Sequence, residues 1–189
     1  MNRKVTPALI ATVLILGIAA FLTREKRLGG ATAPAGARIL TLAIPDVQEV
    51  RVQRDFWNSF TLTRQADGLW RLTEPVDEAA APDAARRLLD QLAGLAPFES
   101  IDLPSDDSER HREYGLWQPE LELVVSTADE RHVLLVGAQT ASGENYYATV
   151  VGRDAVHTIS AAAVEVLGAA LTSYRTEAQM AEAPGDADG

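Results

Sequence analysis

From Val5 to Leu22 the chain is almost unbroken in apolar residues, interrupted only by Thr6, Pro7, Thr12 and Gly17. Eighteen helical residues rise about 27 Å, close to the hydrocarbon thickness of a bilayer, so the stretch predicts a transmembrane helix over 5–23. Pro7 falls in its first turn, where a missing N–H costs little. Beyond Arg38 the pattern changes to short runs. Ile39 to Ile44, Val47 to Gln53, Ser59 to Arg64 and Leu69 to Leu72 alternate or cluster β-branched and apolar residues, with Ala66-Asp67-Gly68 as a turn. An antiparallel meander is expected. Ala85, Leu88, Leu89, Leu92 and Leu95 then recur at helical spacing behind Pro82 and Asp83, predicting an amphipathic helix whose leucine face packs on the sheet.

Phe98 to Leu103 reads as a further strand, and the charged run Ser105 to Glu113 as a loop with a short helical turn closed by Gly115. A second meander follows through Leu121 to Val125, Val133 to Val136, Tyr146 to Val151 and Val156 to Ile159. Its turns fall at Ala128-Asp129-Glu130 and Gly152-Arg153-Asp154. Ser160 caps a final helix that is expected to reach Leu171. The fold class is therefore α+β: an N-terminal transmembrane helix, then two antiparallel meander-plus-helix halves in one compact domain. The expected boundaries are a basic tail over 1–4, the anchor over 5–23 and a flexible Gly/Ala/Pro linker over 24–38. The domain occupies 39–175 and a disordered acidic tail 176–189.

Charge sharpens the membrane reading. The net charge is −10, yet residues 1–38 hold six cations against Glu25 alone, leaving −15 for the rest; both lysines, Lys4 and Lys26, flank the apolar stretch. The charged run 24–27 separates that stretch from the small-residue triplets further on, which favours an uncleaved anchor over a cleaved signal peptide. A short tail ahead of a long soluble domain places the domain outside the cytoplasm. The expected location is the bacterial inner membrane, single-pass, with the domain on the periplasmic side. An acidic domain repels phosphates, so no nucleic-acid partner is expected. The chain has no cysteine, which excludes disulfides, thiolate nucleophiles and cysteine-ligated metals.

Candidate chemistry is sparse. Asp106, Asp107, Glu109 and His111 resemble a cation site in composition, but they lack calcium-loop spacing and its glycine, and Arg110 and Arg112 offset their charge. His132 and His157 read as polar residues on an outer sheet face. Neither a nucleophile elbow nor a phosphate-cradling loop is present. No catalytic residue, cofactor or metal is expected, and the chain reads as a non-enzyme. Trp57, Trp117 and Tyr147 are the candidates for an exposed aromatic partner surface, since Tyr146 and Tyr147 cannot both face inward in a strand.

The run Asp67-Gly68-Leu69-Trp70-Arg71-Leu72 followed by Pro75, the leucine helix, Tyr114-Gly115-Leu116 with Pro119, Val136-Gly137, Gly143 with Tyr146 and Tyr147, and Val156 together resemble the bacterial domain of unknown function 4340 family. The resemblance spans about residues 39–175. It implies a membrane-anchored extracytoplasmic domain associated with a gliding-motility-type ABC transporter, without any known catalytic residue. The function expected from this is an accessory or scaffolding role in envelope transport or assembly. Its partners would be the membrane, through residues 5–23, and an envelope protein. The alternative is an extracytoplasmic carbohydrate-binding or hydrolase module.

Overall fold

The computed structural model describes residues 31–32, 36–54 and 58–175. The expected anchor over 5–23, the expected tail over 176–189 and Trp57 all lie outside the described residues. Among the described residues no helix is long and apolar enough to cross a membrane. Within the expected linker, Ala31–Thr32 is a two-residue strand.

The unit that begins at Thr32 holds nine strands in one antiparallel sheet. These are β1 (Val47–Gln53), β2 (Ser59–Arg64), β3 (Trp70–Glu74), β4 (Glu78–Ala79), β5 (Glu99–Asp102), β6 (Leu121–Thr127), β7 (Arg131–Gln139), β8 (Asn145–Val150) and β9 (Ala155–Ser160). Their order across the sheet is β5-β9-β8-β7-β6-β1-β2-β3-β4. The helices are α1 (Pro82–Gly94), α2 (Ser108–Glu113) and α3 (Ala161–Leu167). The expected α+β order is present, and both meanders belong to the same sheet. They meet at its centre, where β1 pairs with β6 through Val50↔Val125 and Val52↔Leu123. Each then runs outward strand by strand and returns with a helix.

Register decides which side chains share a face, because directly opposed residues in an antiparallel pair point the same way. The chain of pairs Leu72, Leu62, Val50, Val125 defines an inner face, continued by Leu123, Leu134 and Val150. These residues are buried in the main core. From α1 come Leu88, Leu89 and Leu92, and from α3 Val164 and Leu167; the two helices also pack on each other. Burying one such side chain is worth about 1.5–3 kcal/mol, so the leucine face of α1 is a major tie between helix and sheet. Asp83 sits in the first turn of α1, near the positive end of its dipole.

Two local expectations change. Ile39 to Ile44 forms no strand; Ile39 and Leu40 are buried in irregular chain, and a 3₁₀ turn, Ile44–Asp46, follows with Pro45 in its first positions. The last helix ends at Gly168 instead of reaching Leu171, which opens a separate 3₁₀ turn, Leu171–Tyr174. That turn sends Tyr174 into the core, 4.8 Å from the ring of Phe60, and burial pushes its phenol up to about 12.

His132 and His157, expected on an outer face, lie on the inner one. His132 opposes the buried Val125, and His157 opposes the buried Ala148.

Candidate partner surface

The outer face of the second half is covered by the segment between β5 and β6. Leu103 and Leu116 from that segment close over Val156, with Ile101, Leu135, Tyr114 and Tyr147 packed around them. The cover is anchored by local chemistry. Asp107 caps α2 by accepting the Arg110 N–H at 3.2 Å. The His111 imidazole Nδ1 donates to the Asp107 carbonyl at 2.7 Å. Gly115 takes φ 72°, a left-handed conformation that ends the helix, after which the Leu116 N–H reaches the His111 carbonyl at 2.9 Å. Asp154 accepts the Ser105 N–H at 2.8 Å, and that bond holds its carboxyl below the usual range.

This turn points Leu116 inward and Trp117 outward. Trp117 is 61% exposed, and the Arg112 guanidinium lies 5.2 Å from its ring centre in a cation–π contact. Beside it, Val151 is 58% exposed on the β8–β9 turn. Together with Leu116, His111 and Arg153 they line a groove of about 200 Å³. Of the sequence candidates, Trp117 therefore stands at the surface. Tyr147 does not: it is half-buried beneath the cover, its ring 4.5 Å from Tyr114, and that burial raises its phenol pKa, with Tyr114 and Glu99 adding to the shift. Trp57 lies outside the described residues. Val151 was not singled out from sequence, and Arg112 was named only as offsetting the charge of the acidic run. An apolar residue directly before the turn glycine Gly152 was the available signal for the first.

The acidic run weighed as a cation site is occupied with structural bonding: Asp107 is the α2 cap and its side chain also lies 3.9 Å from Arg110. Among the described residues no three His, Asp or Glu side chains gather in a metal-binding arrangement. His132 sits 3.1 Å from Glu130. His157 lies 2.9 Å from the Ser100 hydroxyl; burial lowers its pKa, and Arg153 adds to that effect.

Fold and surface together define an α+β domain with α1 and α3 on one sheet face, a partial cover that carries α2 on the other and an aromatic side chain set out from that cover. The chain belongs to the family described as Domain of unknown function (DUF4340), which matches residues 70–188. The match thus begins at β3 and runs beyond the last described residue. No curated protein and no solved structure matches the chain.

Proposed function

We propose that this protein is a non-enzymatic, membrane-anchored accessory or scaffolding protein of a bacterial envelope transport or assembly system, associated with an ABC transporter. The anchor is the apolar stretch over 5–23 and the domain lies on the periplasmic side. One observation carries the partner reading: Trp117 is 61% exposed on a turn whose base is fixed by capping and core contacts. A large aromatic held out on a rigid base loses little entropy on association, which is why such residues dominate binding energy at protein interfaces.

The test is a crosslinking pull-down from native membranes with the wild-type chain, Trp117→Ala and Val151→Asp. Recovery of a membrane transport or assembly protein by the wild type, reduced about tenfold or more by Trp117→Ala at unchanged melting temperature, is the expected outcome. Equal recovery by all three chains counts against the surface. Absence of any envelope protein from the wild-type sample counts against the function.

A further inference from the structure

Helix α1 packs on α3 and on the 3₁₀ turn Leu171–Tyr174, and a crevice of about 260 Å³ lies between the three. Its floor is apolar, with Leu88 from α1 and Val166 from α3 among the lining residues. Arg87 of α1 and Glu165 of α3 also line it, and neither makes an ion pair or a hydrogen bond with any described residue. They carry opposite charges on neighbouring helices, yet they do not come within ion-pair distance of each other. The third polar group is the Tyr174 phenol. Tyr174 is only 2% exposed, its ring lies against Phe60, and its hydroxyl has no hydrogen-bond partner among the described residues. A buried hydroxyl without a partner is costly, and no side-chain nitrogen or oxygen of the described residues is both sealed from water and unpartnered. The phenol oxygen is therefore the part of Tyr174 that meets water, and it does so at the crevice, which Tyr174 lines. Burial keeps the phenol neutral, so it holds a proton to donate, and the charge of Arg87 is near enough to act on it.

We propose that this crevice binds a zwitterionic small molecule, a free α-amino acid with an apolar side chain. The ligand carboxylate lies between Arg87 and the Tyr174 hydroxyl, the ammonium lies at Glu165, and the side chain rests on Leu88 and Val166. The charges decide the class of ligand. A plain carboxylate gains Arg87 and is opposed by Glu165, whereas a plain amine gains Glu165 and is opposed by Arg87. A ligand carrying both charges answers both helices at once. The phenol adds direction, because a neutral hydroxyl donates to the carboxylate and not to the ammonium. At roughly 30 Å³ per water, the crevice has room for about eight or nine waters, a space on the scale of one amino acid. Arg87 and Glu165 are themselves exposed, so water screens both contacts and the affinity is modest.

The test is a ligand-observed NMR titration of the full-length chain with L-leucine, isocaproate and isoamylamine; the last two are leucine without its ammonium and leucine without its carboxylate. L-leucine should bind saturably, and each analogue about tenfold more weakly or worse. Tyr174→Phe removes one oxygen and keeps the ring on Phe60, so it should weaken leucine about threefold to tenfold at an unchanged melting temperature. Arg87→Gln and Glu165→Gln lie at exposed positions and leave the core intact. The first should bring leucine and isoamylamine to equal affinity, and the second should do the same for leucine and isocaproate. No saturable binding of leucine, equal affinity of the wild type for leucine and either analogue, or leucine binding that all three substitutions leave unchanged overturns the proposal.

Discussion

The two halves of the sheet carry helices on the same face and differ on the other. Around β1, β2 and β3 the outer face is a polar lattice: Glu49, Arg51, Thr61, Thr63 and Arg71 oppose one another across the strands, and Thr63 and Thr73 share a hydrogen bond at 3.0 Å. Around β7, β8 and β9 the outer face is apolar and lies beneath the segment from Leu103 to Leu116. An antiparallel sheet needs only one buried face to be stable. The second half buries both, and the connection that achieves this is also the element that sets out Trp117. The extra layer has a small apolar cluster of its own, Leu103, Leu116 and Val156, separate from the main core.

The comparison is broken most strongly at the seam that both halves share. Leu123 is fully buried between Val52 and Leu134, and Leu123→Ala should cost about 3 kcal/mol in chemical denaturation and destabilise both halves in one transition. Two separate transitions would mean that the halves are independent. Gly137→Ala acts on the cover alone. A Cβ at Gly137 would collide with the Tyr114 carbonyl oxygen and come within 2.9 Å of the Gly115 carbonyl carbon. The expected cost is about 2 kcal/mol. Hydrogen exchange should quicken at Leu116 and Ala138, whose N–H groups bind the His111 and Tyr114 carbonyls, while the α1 amides stay protected. Uniform loss of protection would show that the cover and the main core are one unit.

Much of this difference was readable in the chain, though unevenly. Helix α1 was legible because its apolar residues fall on one side only; Leu88, Leu89 and Leu92 could face nothing but a sheet. Two-sided burial in the second half was signalled by the unbroken runs Leu123-Val124-Val125 and Val133-Leu134-Leu135-Val136, which do not alternate. What covers the outer side was not legible. The stretch from Asp106 to Glu113 is charged, and the residues that bury, Leu103, Tyr114 and Leu116, stand at its two ends with no period between them. The histidines were misjudged for a related reason. Which side of a strand faces the core is fixed by pairing partners, and Ala148 opposite His157 announces no apolar face. Trp117 could be named from sequence, but its separation from Tyr147 depends on a turn that sends adjacent residues opposite ways.

The histidine offers a finer test. Burial and Arg153 hold the His157 pKa below its ordinary 6.5, so the folded state resists a proton that the unfolded chain accepts. Its contribution to stability is therefore present above pH 6.5 and is lost as pH falls from there toward the folded pKa. His157→Gln should leave the melting temperature at neutral pH little changed and flatten its decline on mild acidification. A decline as steep as that of the wild type would assign the acid sensitivity to the carboxylates.

The smallest effect is expected on the open face. Arg51 and Glu74 approach to 3.7 Å with side chains 48% and 61% exposed, and Glu74 also accepts the Thr61 hydroxyl at 3.1 Å. An ion pair so exposed gives little stability, because water and salt screen it and ordering two long side chains costs entropy. Arg51→Gln removes the charge and keeps most of the side-chain stem over Val124, its cross-strand neighbour. It should change stability by less than about 0.5 kcal/mol, and by less still in high salt. A cost several times larger, and insensitive to salt, would mean that the first half's outer face is held as tightly as the covered one. The contrast between a lattice open to water and a face built to carry a cover would then have to be abandoned.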